Sequence, residues 1–256
     1  MKLLFLGTGT SLGVPMIGCE CPVCLSSDPR NKRRRSSVYI SAGETRLAID
    51  TSPDFREQAL TYGLRRVDAV LFTHAHADHI LGLDDIRRFN TLQEAVIPVY
   101  GVSETMEEVR RIFAYIGRPH QPGLYRPLLD FRTVEGPFQA GEVEVVPLDV
   151  EHGTERTVGF LLTWHGRRIG YFPDCHHMPE KTLQALRGVD LMVLDTLRYR
   201  PHPTHLSVSE SVDLLRRIGA PHSYLMHLCH DLDHARLETE LPAGIAVAFD
   251  GLVVRV

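Results

Sequence analysis

The sequence predicts an α/β protein in which two β-sheets are covered by helices. Short apolar runs typical of strands occur towards both ends of the chain, and helical patterns are interleaved with them. The segments 38–40 and 46–50 predict two strands joined by a turn at Ala42-Gly43-Glu44. No repeat, low-complexity tract or linker divides the 256 residues, so we expect one domain spanning 1–256.

Each element is predicted from its local pattern. Strands are expected at 3–6, 38–40, 46–50, 69–72, 143–150, 158–164, 168–172, 191–194, 245–249 and 252–254. Helices are expected at 53–62, just after His79, at 103–116, and from a capping box of Ser207 and Glu210 through Ile218. The stripe formed by Met106, Val109, Ile112, Phe113 and Ile116 predicts a buried helix face. The Pro/Gly-rich segment 118–127 is a candidate active-site rim.

Composition and charge exclude several classes of protein. The formal net charge is −4, and 43% of the residues are hydrophobic, which does not favour a general nucleic-acid binder. No apolar run is long enough for a membrane span. The apolar start of the chain is interrupted by Gly7-Thr8-Gly9, so we interpret it as a strand and not a signal peptide. These features predict a cytoplasmic protein. The basic run Lys32-Arg33-Arg34-Arg35 is interpreted as a solvated loop.

Metal ligands are concentrated in the segment 73–79, Thr-His-Ala-His-Ala-Asp-His, which directly follows a buried strand. Three imidazoles and a carboxylate packed together without a metal would be costly to desolvate. Neutral imidazole and carboxylate are good ligands for zinc-like dications. Further candidates follow later strands, where a layered α/β fold gathers its site loops: His152, Asp174 and His227.

These residues, in this order, resemble the metallo-β-lactamase superfamily over essentially the whole chain. The resemblance implies a four-layer αβ/βα sandwich with a dinuclear site at one edge of the two sheets. It implies that one metal is held by His74, His76 and His152, and the other by Asp78, His79 and His227. Asp174 and a hydroxide, the nucleophile, would bridge them. Asp50 matches the first motif of the superfamily and would hold a ligand in place.

A narrower resemblance connects the chain to the PhnP-like phosphodiesterases. It rests on Gly18-Cys19-x-Cys21-x-x-Cys24, on Pro203-Thr204-His205-Leu206-Ser207, and on the segment 226–231, Met-His-Leu-Cys-His-Asp. It implies hydrolysis of cyclic nucleotide-type or related small phosphodiesters, manganese or zinc at the active site, and a homodimer. A nucleic-acid polymer is not the expected substrate. His205 and the metal ligand Asp78 are the predicted catalytic residues, with His205 binding a phosphoryl oxygen or protonating the leaving alkoxide.

Three other functions stay open at this stage. One is another hydrolysis on the same metals, of a thioester or lactone or in transfer-RNA 3′ processing. The nuclease is disfavoured because no long Gly/Pro-rich inserted arm is present, and a β-lactamase is disfavoured by Asp174. The second is a non-catalytic homologue that carries a small molecule. The third is a mainly structural metalloprotein.

A separate structural zinc is predicted from the cysteines. Cys19, Cys21 and Cys24 are clustered, the total of five is odd, and a reducing compartment favours metal binding over disulfides. A structural zinc is usually four-coordinate, so one ligand must come from elsewhere. The PhnP-like pattern favours His230 as that ligand, with Cys229 and then His234 as rivals.

Overall fold

A computed structural model describes residues 1–117 and 125–256. Within these residues the chain forms two mixed sheets. The first contains β1 (Lys2–Gly7), β2 (Ser37–Ala42), β3 (Thr45–Ile49), β4 (Ala69–Leu71), β5 (Ile97–Gly101), β6 (Leu129–Thr133) and β14 (Val253–Arg255). The second contains β7 (Phe138–Ala140), β8 (Val143–Val150), β9 (Thr157–Trp164), β10 (Arg167–Phe172), β11 (Leu191–Asp195), β12 (His222–Met226) and β13 (Ile245–Val247).

The strand order is β14-β1-β2-β3-β4-β5-β6 in one sheet and β13-β12-β11-β10-β9-β8-β7 in the other. The helices are α1 (Pro22–Leu25), α2 (Phe55–Thr61), α3 (Ala77–Ile80), α4 (Arg87–Gln93), α5 (Ser103–Ile112), α6 (Glu180–Leu186), α7 (Val208–Ile218) and α8 (His234–Glu240), with short 3₁₀ turns at Pro29–Asn31 and Leu83–Ile86.

The apolar side chains lie in layers. One cluster joins side chains of both sheets, for example Phe5 and Ile40 with Phe160 and Tyr171. Two further clusters cover the outer sheet faces: one includes residues of α2, α4 and α5, and the other includes residues of α6, α7 and α8. Burying apolar side chains on both faces of each sheet gives the helix–sheet–sheet–helix arrangement. The predicted four-layer αβ/βα sandwich is confirmed.

Parallel pairing brings the functional residues to one edge. β3 pairs in parallel with β4, and β11 pairs in parallel with β10 on one side and with β12 on the other. Asp195 lies opposite Met226 in this register, so the residues that follow these strands emerge side by side. β11 is apolar and buried along almost its whole length, and β10 and β12 are buried at their carboxyl-terminal ends, as expected for parallel strands covered on both faces.

Several predicted boundaries need correction. The helix predicted for 103–116 ends at Ile112, whose side chain is 38% exposed and so does not belong to the buried stripe. The helix expected just after His79 begins earlier, because Asp78 and His79 already lie on the one-turn helix α3. The residues that follow form a 3₁₀ turn and α4. Of the predicted rim 118–127, residues 118–124 lie outside the described part of the chain.

The predicted capping box is confirmed: the Ser207 hydroxyl accepts a hydrogen bond from the Glu210 backbone, and the Glu210 carboxylate accepts one from the Ser207 backbone. In the ranges 1–117 and 125–256, every helix is too short or too polar to cross a membrane.

Candidate metal centre

The first group of ligand atoms comes from the segment after β4 and the segment after β8. His74 Nε2 lies 2.9 Å from His76 Nδ1, and His152 Nε2 lies 3.4 Å from the same atom. Nitrogen ligands bind zinc at about 2.0–2.1 Å, so two ligands of one ion are roughly 3–3.5 Å apart. The three imidazoles are therefore spaced to bind one metal ion.

The second group lies on the other side of Asp174. Asp78 Oδ2 lies 3.4 Å from His79 Nε2 and 3.8 Å from His227 Nε2. α3 carries the first two residues, while His227 directly follows β12. These three side chains could hold a second ion.

Asp174 lies between the two groups. Its Oδ2 is 3.5 Å from His152 Nε2 and 3.4 Å from His227 Nε2, and its Oδ1 is 3.2 Å from His79 Nε2. One carboxylate therefore faces ligand atoms of both groups, as the predicted bridging role requires.

Surrounding hydrogen bonds orient the ligands. His79 Nδ1 donates to Asp50 Oδ2 at 2.8 Å, and His152 Nδ1 donates to the carbonyl of Thr204 at 2.7 Å, so each Nε2 is left facing the site. The Thr73 hydroxyl lies 3.0 Å from both Asp50 Oδ2 and His74 Nδ1. Asp50 thus has the geometry of the supporting residue that the sequence predicted.

The backbone is strained at two of these positions. Asp50 and His227 have φ values of 60° and 61°. A non-glycine residue in this left-handed region costs on the order of 1–2 kcal/mol. Strain of this kind is typical of functional sites. Here it occurs where the chain turns from a strand end to direct a side chain at the cluster.

The cluster fits divalent cations. His79 Nε2, His227 Nε2 and Asp174 Oδ1 are buried and have no well-aligned hydrogen-bond partner among the described residues, so each is free to coordinate. Burial, together with His79, lowers the pKa of His74 well below its usual range and keeps it neutral, as a ligand must be. Burial lowers the pKa of His79 too, but the neighbouring carboxylates of Asp174, Asp78 and Asp50 outweigh this and raise it well above its usual value. In the metal-free protein these three carboxylates therefore stabilise positive charge at His79.

His205 and Asp195 complete the site. His205 is buried, and its ring stacks on that of His227 with the centroids 4.6 Å apart. Its Nδ1 donates to Asp195 Oδ2 at 2.9 Å. Burial lowers the pKa of the imidazole, but Asp195 outweighs this and raises the pKa of His205 to about 9 in the metal-free protein. His205 is therefore not a surface histidine.

Asp195 was not predicted from the sequence. Its Oδ2 accepts hydrogen bonds from the backbone of Cys175 and Leu206 as well as from His205, and its Oδ1 lies 3.7 Å from His227 Nδ1. The available signal was its position: it ends the apolar strand β11, as Asp174 follows β10.

The site opens into a cavity of about 460 Å³. Its wall includes Asp78, His152, Asp174, His205 and His227. A volume of this size lies within the range of small-molecule sites.

The cysteine cluster lies beside the segment after β12. His230 Nδ1 is 3.1 Å from Cys19 Sγ, 3.5 Å from Cys21 Sγ and 3.8 Å from Cys24 Sγ. Zinc binds sulfur at about 2.3 Å and nitrogen at about 2.0 Å, which gives sulfur–nitrogen separations of roughly 3.5 Å in a tetrahedral site. The backbone N–H of Cys24 lies 3.4 Å from Cys21 Sγ and stabilises its thiolate, so the pKa of Cys21 is lowered to about 6.

The rival ligands lie elsewhere. Cys229 Sγ accepts a hydrogen bond from the backbone of Asp231 and is outside the cluster of four. His234 is buried with its Nε2 3.4 Å from Glu238. The geometry favours His230, which follows the candidate ligand His227 by three residues.

The basic run 32–35 is not the solvated loop that we predicted. Arg33 is only 2% exposed, and its guanidinium donates to the carbonyls of Cys229 and Leu232 and to Asn31 Oδ1. Arg33 thus connects the cysteine loop to the segment that carries His230. The sequence did not distinguish Arg33 from its basic neighbours, because the carbonyls to which it donates lie almost 200 positions away.

Comparison with known proteins identifies the family. A model of the Beta-lactamase superfamily domain matches residues 45–228, a range that contains Asp50, the 73–79 motif and every other proposed ligand of the His/Asp cluster. An octanoyltransferase of Porphyromonas gingivalis (strain ATCC BAA-308 / W83) is 38% identical over 262 residues, which cover 98% of this chain and 51% of that protein. The chain therefore spans about half the length of this relative.

Solved structures share the fold. A diphosphatase from the PhnP family is 38% identical and superposes with a TM-score of 0.91, over 100% of this chain and 97% of the other. Zinc-bound PqqB from Methylobacterium extorquens is 21% identical, with a TM-score of 0.82 and complete coverage of both chains. The second likeness shows the fold alone. From the family match, the sandwich and the 38% identity together, we conclude that this chain belongs to the metallo-β-lactamase superfamily of metal-dependent hydrolases and is similar to the PhnP family within it.

Proposed function

We propose that this chain is a phosphodiesterase that hydrolyses small phosphodiesters with two divalent metal ions, zinc or manganese. The observation that carries the proposal is the arrangement around Asp174, whose carboxylate faces two separate ligand groups while His205 lines the same cavity. The 38% identity to a PhnP-family diphosphatase supports it. We do not infer acyl transfer from the name of the octanoyltransferase, because only about half of that protein is similar to this chain.

The residues of the two ligand groups would have different roles in metal binding. His74, His76 and His152 would hold one ion, Asp78, His79 and His227 the other, and Asp174 both. When bound, the ions would supply a water acidified towards neutral pH and would offset charge on the phosphoryl oxygens. Asp195 fixes the His205 ring through Nδ1, which leaves Nε2 to donate to a phosphoryl oxygen or to the departing oxygen.

Activity after metal removal tests this proposal. We expect hydrolysis of bis(p-nitrophenyl) phosphate and cyclic nucleotides to be abolished by a chelator and restored by Zn²⁺ or Mn²⁺. The same protein should be inactive on nitrocefin, lactones and thioesters, an octanoyl thioester included. A metal-replete protein that hydrolyses a thioester and no phosphodiester would overturn the proposal.

The role of His205 makes a more specific prediction. We expect His205→Ala to retain the metals and to lower kcat about 10²–10⁴-fold on a diester with an alkyl leaving group, which needs a proton. The loss should be much smaller with p-nitrophenolate, which departs without one. His165→Ala, at an exposed turn, is the matched control.

Steady-state kinetics on both diesters, with metal analysis of each variant, measures this. If kcat fell equally with both leaving groups, His205 would not transfer the proton and would instead be a substrate-binding residue.

A further inference from the structure

Two clefts of opposite charge adjoin the metal cavity. One has a volume of about 520 Å³ and shares His76 and Glu155 with it. The other has a volume of about 300 Å³ and shares Ser11 and His205 with it. A substrate bound at the metals therefore extends towards two different surroundings.

The first cleft, which we call the acidic cleft, repels anions. Its wall carries four carboxylates and two guanidinium groups, those of Glu104, Glu107, Glu108, Glu155, Arg111 and Arg156. Both guanidinium groups are already neutralised: Arg111 pairs with Glu108, and Arg156 pairs with Glu104, Glu135 and Asp149. An anionic group of a substrate would therefore not be stabilised in the acidic cleft.

The second cleft, the basic cleft, attracts anions. It is lined by Arg198 and Arg200 and by a single carboxylate, Asp231. Arg200 lies 3.4 Å from Asp231, so this pair is neutral. No carboxylate of the described residues lies within ion-pair distance of Arg198, which therefore supplies the uncompensated charge of the cleft.

The guanidinium of Arg198 is held in place. Its Nε donates to the carbonyl of Arg200 at 3.1 Å and its Nη2 to that of Pro201 at 2.8 Å. The backbone of Arg198 accepts from Val208 at 3.0 Å and closes the loop that carries His205. A guanidinium fixed in this way loses little freedom when it binds an anion.

We propose that the basic cleft binds the departing half of the substrate, and that Arg198 selects departing groups that carry a phosphate or a carboxylate. In hydrolysis the water oxygen bonds to phosphorus, the bond to the departing oxygen breaks, and that oxygen takes a proton. His205 is the candidate donor of that proton and forms part of the wall of this cleft. This inference rests on the proposed phosphodiesterase activity. The apolar side chains of Leu12, Met16 and Leu197 would contact the organic part of the group.

Three aryl esters test the charge preference. In methyl 4-nitrophenyl phosphate the aryl group that departs carries no anionic substituent. Its 3-carboxy and 3-phosphono derivatives add a carboxylate and a phosphonate, which stands in for a phosphate. Each kcat/KM is divided by the rate of alkaline hydrolysis of the same ester, which removes differences in leaving-group reactivity. We expect the wild type to prefer the anionic esters about tenfold, the gain typical of one charge-assisted hydrogen bond.

Variants assign that preference to Arg198. Arg198→Gln should abolish it, Arg198→Lys should keep part of it, and Arg216→Ala, an exposed arginine paired with Asp213 on α7, should leave it unchanged. Because the readout is a ratio, a general loss of activity from a loosened loop does not obscure it. The two derivatives separate a phosphate from a carboxylate preference.

The possible failures are distinct. A wild type without the preference, or Arg198→Gln that retains it, overturns the inference while leaving the phosphodiesterase in place. A wild type that hydrolyses none of the esters overturns the proposed function itself.

Discussion

Asp174→Ala is expected to release both active-site metals and to abolish hydrolysis. The carboxylate is buried and faces ligand atoms of both groups, so its removal weakens both sites at once. Loss of a merely supporting partner of a ligand costs about 10–100-fold in metal affinity. We expect a larger effect from the shared ligand itself, well above 10²-fold for each ion.

Metal analysis after dialysis, together with kcat/KM, measures this effect. Asp213→Ala is the control, because it removes an exposed carboxylate of α7. Asp174→Asn keeps the volume of the side chain and separates loss of charge from loss of packing. Retention of two ions per chain by Asp174→Ala would show that Asp174 is not a shared ligand.

Cys21→Ser is expected to release one zinc per chain and to destabilise the protein. The side chains of Cys19, Cys21, Cys24 and His230 converge to within zinc-binding distances. Loss of a metal site is one of the few changes that destabilise a protein strongly. We expect the free energy of unfolding to fall by about 3–5 kcal/mol and the melting temperature by roughly 10 °C. Because His230 follows His227 by three residues, activity should fall as well.

His230→Ala should reproduce this loss of zinc, and Cys229→Ser should not. Zinc content by a colorimetric chelator and thermal unfolding by circular dichroism provide the two readouts. If Cys229→Ser released that zinc while His230→Ala retained it, the fourth ligand would be wrongly assigned. If Cys21→Ser kept its zinc, no structural zinc would exist there.

The features that could be predicted from the sequence are those that depend on adjacent residues or on the ends of strands. The 73–79 motif places four candidate ligands, three histidines and one aspartate, in one segment, and His152, Asp174 and His227 each follow a strand. The fold follows from the same strand pattern, and the family match confirms both the fold class and the superfamily. The single domain, the homodimer and the metal-binding roles stay predictions.

Other features depend on contacts that no local pattern reveals. Asp195 lies beside His205 and His227 because its strand, β11, lies between β10 and β12. Arg33 is buried because segments almost 200 residues apart meet around it. The charges of the two clefts likewise come from distant parts of the chain.

Anomalous diffraction from crystals of the zinc-loaded protein would show directly how many metal ions the chain binds and where they lie. We expect three peaks per chain. Two lie about 3.5–4 Å apart on either side of Asp174, the usual spacing of a two-metal site. The third lies among Cys19, Cys21, Cys24 and His230. A single peak within the His/Asp cluster, or none, would contradict a dinuclear centre.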